Sequence, residues 1–256
     1  MTGPFAADHL GAMVRPSPNF GERRGVERPD MIVLHYTGMV SGIGAENWLC
    51  DSASGVSSHY LIHEDGRIVQ MVRERDRAWH AGKSFWKGGA DINSHSVGLE
   101  IVNPGHQIGY SDFPRRQIDA VIALCQGIIQ RHGIRAERVL AHSDVSPGRK
   151  VDPGEKFPWR VLFDAGVGHW VEPAAISDGD ILAVGDRGAP VEELQRALEE
   201  YGYQIPTTGE FDAVTESVVA TFQRHFRPAR VDGIADTSTV GTLKKLQSSL
   251  LKPELY

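Results

Sequence analysis

The stretch MIVLHYT, residues 31–37, is an apolar run that leads into a histidine, and two further stretches have a similar form. Residues 97–102 read VGLEIV, and residues 138–142 read RVLAH. Short apolar runs that are bounded by polar residues are typical of buried strands. We therefore predict three buried strands, two of which lead into a histidine.

Hairpin and helical patterns lie between these strands. Segments 59–63 and 68–72 flank Asp65-Gly66, and an Asp-Gly pair between two apolar stretches predicts a β-hairpin. Apolar residues recur at helical spacing over 114–132, and 42–50 is a shorter helical candidate. Strands that alternate with helices predict an α/β fold, in which helices flank a mixed β-sheet.

The pattern changes after residue 163. Residues 164–185 contain Pro, Gly and Asp with little periodicity, which is typical of a linker. Three helical segments follow, and the last two come after a turn in which a glycine precedes a threonine by six residues, at 209–215 and 233–239. We therefore predict one domain over 1–163 and a small three-helix domain, built around an internal repeat, over 186–256.

Composition narrows the class of protein. The 256 residues are 41% hydrophobic and 23% charged, close to the average of globular proteins. A net charge of -6 without a basic cluster argues against a nucleic-acid partner. No run of eighteen apolar residues occurs, so no transmembrane helix is expected. We expect a monomer.

Two features bear on the cellular compartment. Residues 1–30 lack the basic start, apolar core and cleavage site of a secretory signal. Cys50 and Cys125 are too few for a disulfide framework or a cysteine zinc site. Both features favour a cytoplasmic protein. The alternative is a periplasmic protein whose signal is not part of this sequence.

The histidines at the strand ends suggest a metal site. Ligands of α/β sheets gather outside strand ends, although His35 or His142 alone would more often be structural. The loop after His142 has Pro and Gly at both ends, so Asp152 can return towards His142. Two imidazoles and a carboxylate form a three-ligand zinc site with a position left for water. Asp144 is the competing carboxylate, or a helix cap.

Two further residues have the chemistry that amide hydrolysis requires. Glu100 stands in an otherwise apolar run, where a carboxylate is costly without a partner or a task. It is either a general base or one half of a structural salt bridge. Lys150 lies two residues before Asp152, so both side chains point to the same side of an extended loop. Lys150 is then either a cation that stabilises an oxyanion or an ordinary solvated lysine.

Five motifs together resemble the AmpD-type N-acetylmuramoyl-L-alanine amidases, a family that includes phage lysozyme-type amidases and animal peptidoglycan recognition proteins. These motifs are VLHYTG at 33–38, SSHYLIHEDGRIVQMV at 57–72, AWHAG at 78–82, NSHSVGLEIVNPG at 93–105 and AHSDVSPGRKVDPG at 141–154. The resemblance implies one Zn²⁺ held by His35, His142 and Asp152. It also implies that Glu100 and Lys150 are catalytic.

The resemblance also implies substrate contacts. Trp79, His80 and Asn93 fall in segments that line the muropeptide groove of relatives, although Trp79 is equally a core candidate. The C-terminal segment resembles a three-helix peptidoglycan-binding domain, through its repeat and Thr221-Phe222-Gln223. Such a domain positions substrate, or only packs on its neighbour.

Three classes of function use residues of this kind. The resemblance implies hydrolysis of the amide between the muramic-acid lactyl group and L-alanine, in peptidoglycan or in an anhydro-muropeptide. A non-catalytic, zinc-containing peptidoglycan recognition protein is the alternative, although loss of a zinc ligand would be expected there. A glycoside hydrolase requires two apposed carboxylates, and Glu100 has no such partner outside the predicted metal site.

Overall fold

The computed structural model describes residues 5–251, so the outermost residues of both predicted domains, 1–4 and 252–256, lie outside the described residues. The strands are β1 (Met13–Val14), β2 (Phe20–Gly21), β3 (Met31–Tyr36), β4 (Tyr60–Ile62), β5 (Ile68–Gln70), β6 (Arg77–Ala78), β7 (Ser96–Ile101) and β8 (Val139–Ala141). The helices are α1 (Gly42–Leu49), α2 (Ile92–His95), α3 (Arg115–His132), α4 (His142–Val145), α5 (Trp159–Asp164), α6 (Ala189–Tyr201), α7 (Ala213–Phe226) and α8 (Thr237–Leu250).

A six-stranded mixed sheet organises the first part of the chain, in the order β1-β5-β4-β7-β3-β8. The β4–β5 pair is antiparallel and forms the predicted hairpin, whereas the other pairs of this sheet are parallel. Strands β2 and β6 form a separate antiparallel ribbon. The predicted mixed sheet with flanking helices is confirmed.

The two central strands position the site. In the parallel register of β3 and β7, His35 is the partner of Glu100. Partner residues on neighbouring strands project from the same face of a sheet. Strand β3 continues through His35 to Tyr36, so this histidine lies inside the strand instead of after it.

Helix α3 covers the sheet, as its apolar spacing predicts. Its buried face includes Ile118, Val121, Leu124 and Ile128, and burial of such side chains stabilises the fold by roughly 1.5–3 kcal/mol each. The helix ends at Gly133, which adopts the left-handed conformation that glycine tolerates best.

The internal repeat of the C-terminal helical unit (residues 189–250) is visible in its hydrogen bonds. Gln195 on α6 donates through Nε2 to Thr215 Oγ1 at 2.9 Å, and Gln223 on α7 donates to Thr239 Oγ1 at 3.2 Å. Each glutamine also binds backbone groups of the intervening turn. The two repeats therefore use the same buried amide to join a helix to the next turn.

The helical unit and the α/β part share one continuous hydrophobic core, which includes Trp86 and Trp159 as well as Tyr203 and Phe226. Leu182, within the predicted linker, exchanges backbone hydrogen bonds with Ala235 of the helical unit. The domain boundaries stay predictions. Among residues 5–251, no helix has the length and apolar character needed to cross a membrane.

Candidate metal centre and active site

Three predicted ligands meet at the carboxyl ends of β3 and β8. His35 Nδ1 lies 2.9 Å from His142 Nδ1 and 3.2 Å from Asp152 Oδ2. His142 Nδ1 lies 3.0 Å from the same carboxylate oxygen. All three residues are buried, and together they form a cluster that could hold a metal ion.

A relay of hydrogen bonds determines the tautomer of His35. Ser96 Oγ donates to the carbonyl oxygen of Ile92 at 2.6 Å, so it accepts from Nε2 of His80 at 3.1 Å. Nδ1 of His80 is then left to accept from Nε2 of His35, at 3.0 Å. Because a neutral imidazole carries one proton, Nδ1 of His35 presents a lone pair.

His142 reaches the same state through a different partner. Its Nε2 lies 3.2 Å from the carbonyl oxygen of Ala81, which can only accept a hydrogen bond, and 3.4 Å from Nη2 of Arg149, which can only donate one. The shorter contact, with Ala81, favours a proton on Nε2. Nδ1 of His142 therefore also presents a lone pair, towards the Asp152 carboxylate. Three lone pairs about 3 Å apart repel one another unless a cation lies between them. Zinc ligands at about 2.0–2.1 Å in a tetrahedral arrangement are separated by about 3.3 Å, so the donor set fits Zn²⁺.

The electrostatics of the cluster agree with this arrangement. Burial, together with the neighbouring His142, lowers the pKa of His35 to about 4, which keeps its imidazole neutral at pH 7. Burial opposes ionisation of Asp152, but in the metal-free protein the attraction of His142 and hydrogen bonds with His142 and His35 hold its pKa below the usual range. Positive charge beside this carboxylate, whether a proton or a metal ion, is therefore favoured. His35 is thus neutral and Asp152 ionised at pH 7, which is the state in which each can bind a metal ion.

Glu100 lies on the same face of the sheet and lines the groove beside the three ligands. Its Oε2 atom is buried and has no hydrogen-bond partner among residues 5–251. Burial and the negative charge of Asp152 raise the pKa of Glu100 well above its usual range, whereas Lys150 acts in the opposite direction. The salt-bridge alternative for Glu100 finds no partner in the described part of the chain.

The loop that carries Lys150 is closed on itself. The N–H of Ser143 donates to the carbonyl oxygen of Asp152 at 3.0 Å, and the N–H of Lys150 donates to Ser146 at 3.1 Å. Two metal-ligand candidates therefore stand at the joined ends of one loop. Lys150 lines the same groove as Glu100.

Of the three predicted substrate contacts, two line the groove and the third is buried. Trp79 and His80 line the groove, which has a volume of about 400 Å³. Asn93 is buried, and its Oδ1 accepts from the N–H groups of His80 and Ala81 at 3.0 and 2.8 Å. It holds the segment that carries Trp79 and His80, and its own contact with substrate stays a prediction.

The packing of His80 depends on one glycine. A Cβ atom at Gly98 would lie 2.5 Å from Cγ of the His80 ring. Glycine inside a strand often marks such a close approach. The glycine in VGLEIV is therefore the sequence feature that makes room for the relay.

Residues 25–155 match the family model described as N-acetylmuramoyl-L-alanine amidase. The chain belongs to this family. The family model of a peptidoglycan binding domain matches residues 187–243 of the amidase.

Individual relatives agree with this assignment. The amidase is 37% identical to N-acetylmuramoyl-L-alanine amidase AmiD of Escherichia coli, over 83% of this chain and 80% of the relative. It is 32% identical to 1,6-anhydro-N-acetylmuramyl-L-alanine amidase AmpD of Escherichia coli, over 59% of this chain and 89% of the relative.

Solved structures extend the similarity to three dimensions. The complex of AmiD from E. coli with anhydro-N-acetylmuramic acid-L-Ala-D-gamma-Glu-L-Lys matches with a TM-score of 0.76 and 32% identity, over 90% of this chain and 98% of that chain. AmpDh3 from Pseudomonas aeruginosa, in complex with anhydromuramic pentapeptide, matches with a TM-score of 0.72 and 31% identity, over 92% and 96%.

Sequence reasoning missed one wall of the amidase groove. Nothing in the sequence indicated that His106 belongs to the groove. Nδ1 of His106 lies 3.1 Å from the Tyr36 hydroxyl, and Nε2 lies 3.0 Å from Oε2 of Glu155. Trp48 of α1 also lines the groove and is half exposed. An exposed tryptophan on a short helix was the available signal for the second of these residues.

Proposed function

We propose that this chain is a zinc-dependent N-acetylmuramoyl-L-alanine amidase that hydrolyses the amide between the lactyl group of muramic acid and L-alanine. The observation that carries the proposal is the convergence of two imidazole nitrogens and one carboxylate oxygen beside Glu100, whose buried Oε2 atom has no hydrogen-bond partner among residues 5–251. The first feature binds a metal and the second can move a proton.

His35 and His142 would hold the ion through Nδ1, and Asp152 through Oδ2. When bound, zinc supplies a Lewis acid and lowers the pKa of water in its open position. The protein fixes the direction of each ligand, because the other nitrogen of both imidazoles is already engaged. Such outer partners raise ligand basicity and lock ring orientation.

Glu100 acts as the general base. Its raised pKa makes its carboxylate more basic than an ordinary glutamate, so it takes a proton from the attacking water and then delivers that proton to the leaving nitrogen. Lys150 lines the same groove, and its ammonium stabilises the negative charge that develops on the amide oxygen. Trp79 and His80 form the groove wall against which the substrate lies.

We propose muropeptides as the substrate class. The two similar solved complexes hold anhydromuramyl peptides, and polar and aromatic groups such as Tyr36, Trp48 and His106 line the groove of this chain. Anhydro-muropeptide and polymeric peptidoglycan both contain the bond concerned. The expected cytoplasmic location stays a prediction, which a preference for recycled fragments would support.

The non-catalytic alternative is less well supported. A recognition protein requires binding but no proton carrier, and the buried Oε2 of Glu100 would then be a cost without a use. The presence of all three ligand candidates together with Glu100 favours catalysis.

Mass spectrometry of reaction products tests the proposal. The purified chain is incubated with anhydro-muropeptide and with intact sacculi, with and without a chelator. We expect free peptide beginning at L-alanine and an intact sugar, and no product when the metal is removed. Cleavage of a sugar bond, cleavage that survives the chelator, or binding without turnover would contradict it.

A further inference from the structure

Asp144 is a fully buried carboxylate, two residues after His142, that the proposed chemistry does not use. Its Oδ2 atom accepts from the N–H of Ala141 at 2.8 Å and lies 2.6 Å from Nδ1 of His225. Its Oδ1 atom accepts from the Tyr203 hydroxyl at 2.9 Å. Asp144, which the sequence left as a competing metal ligand, therefore uses both carboxylate oxygens in hydrogen bonds to Ala141, Tyr203 and His225.

Both side-chain partners of Asp144 come from the C-terminal helical unit. Tyr203 follows α6, and His225 lies on α7. Aromatic contacts hold both in place, because the His225 ring stacks on Trp159 at 3.7 Å and Tyr203 meets Trp86 edge-on at 5.0 Å. Trp159 and Trp86 belong to the α/β part, so the interface is packed around the carboxylate.

The position of Asp144 determines where His142 stands. Asp144 accepts a hydrogen bond from the backbone N–H of Ala141, the residue immediately before His142, at the start of the single turn α4. The next N–H of that turn, from Ser143, binds the backbone carbonyl of Asp152. One anchored turn therefore locates two of the three metal-ligand candidates.

We propose that the helical unit is part of the support of the metal centre, through a clamp formed by Tyr203 and His225 on Asp144. Both are positioning residues for His142. A carboxylate as fully buried as Asp144 is left with an unsatisfied lone pair when it loses a donor. The α4 turn then relaxes to find a new donor and moves the imidazole of His142. This inference rests on the zinc site of the proposed function.

The chain offers matched variants for a test. Tyr203→Phe removes only the hydroxyl that binds Asp144. His225→Leu removes the second donor, whereas His225→Asn keeps an N–H donor near the position of Nδ1. Tyr201→Phe is the control, because Tyr201 is a buried tyrosine of the same unit whose hydroxyl lies 2.8 Å from His169 instead.

Three measurements on the full-length chain separate positioning from a general loss of stability. The zinc dissociation constant is measured by competition with a chromophoric chelator. The visible spectrum of the Co²⁺-loaded protein reports the geometry of the ligands. Thermal unfolding of the metal-free protein reports stability.

We expect Tyr203→Phe and His225→Leu each to weaken zinc binding by about tenfold, as outer-shell substitutions do, and to alter the Co²⁺ spectrum. His225→Asn and Tyr201→Phe should bind zinc like the wild type and keep its spectrum. If the clamp variants lose thermal stability but keep the wild-type zinc affinity and spectrum, the inference is wrong while the proposed function stands. A wild-type chain that binds no zinc would overturn both.

Discussion

Replacing Glu100 with glutamine should remove turnover while leaving the metal centre intact. The substitution keeps the volume of the side chain and breaks no hydrogen bond at Oε2, because that atom has no partner among residues 5–251. Loss of a general base costs about 10²- to 10⁴-fold in rate. At 1.36 kcal/mol per decade this corresponds to about 2.7–5.4 kcal/mol of transition-state stabilisation.

Although Glu100→Gln removes turnover, it should not lower the stability of the folded protein at pH 7. The pKa of Glu100 is raised by burial and by Asp152, so the folded protein holds this proton more tightly than the unfolded chain. Stability is then lost as the pH rises above the unfolded pKa of about 4.3. At pH 7 the neutral glutamine avoids that loss, and the metal-free variant should unfold at the same temperature as the wild type or higher.

The assay combines initial rates on anhydro-muropeptide, zinc content per chain and thermal unfolding of the metal-free protein. Glu155→Gln is the control, since Glu155 is not among the residues that line the groove and is hydrogen-bonded to His106 and one-third exposed. Its turnover should stay near that of the wild type. A Glu100→Gln variant that retains both zinc and a near-wild-type rate would refute the assignment of Glu100 as the base.

Three further outcomes are expected. Asp152→Asn should abolish stoichiometric zinc binding in metal analysis, because it removes the anionic donor of the cluster. Ser96→Ala should weaken zinc binding by about 10- to 100-fold in chelator competition, since His80 loses the acceptor that fixes its tautomer. Glu74→Gln should cost about 3 kcal/mol in urea unfolding at pH 7, because the pKa of Glu74, although opposed by burial, is lowered to about 2 by His132, Arg131 and Tyr60. The Glu74 contribution is fully present above about pH 4.5 and lost as the pH falls towards 2, so the two proteins should converge in acid.

Local patterns predicted strands β3, β7 and β8, the β4–β5 hairpin and helix α3, because each depends on residues that are near one another in sequence. The two-residue strands β1, β2 and β6 are too short to leave such a pattern and were not predicted. The return of Asp152 towards His142 was also predictable from local sequence, because Pro and Gly fix the course of the loop 142–152. In the structure a backbone hydrogen bond joins the ends of this loop. Glu100 could be assigned to a strand and His35 to the end of another. Their pairing in register is a long-range property, and only the family resemblance brought them together.

The roles of His80 and His225 could not be predicted for the same physical reason. His80 looked like a substrate contact, but its second function depends on the space above Gly98 and on the Ser96 hydroxyl. His225 lies 81 residues from Asp144 in sequence, and its contact forms only when α7 packs on the α/β part. Side chains that connect distant segments carry no local periodicity.

Three carboxylates near α4 and β7, those of Asp144, Asp152 and Glu100, differ in their hydrogen-bond partners and therefore in their roles. Asp144 is satisfied by three donors, and Asp152 faces two imidazoles across a site that suits a cation. Glu100 has a buried oxygen with no partner in the described chain. An unpaired buried carboxylate costs several kcal/mol or gives up its charge. Of the three, the carboxylate without a structural partner is therefore the one free to exchange a proton with substrate.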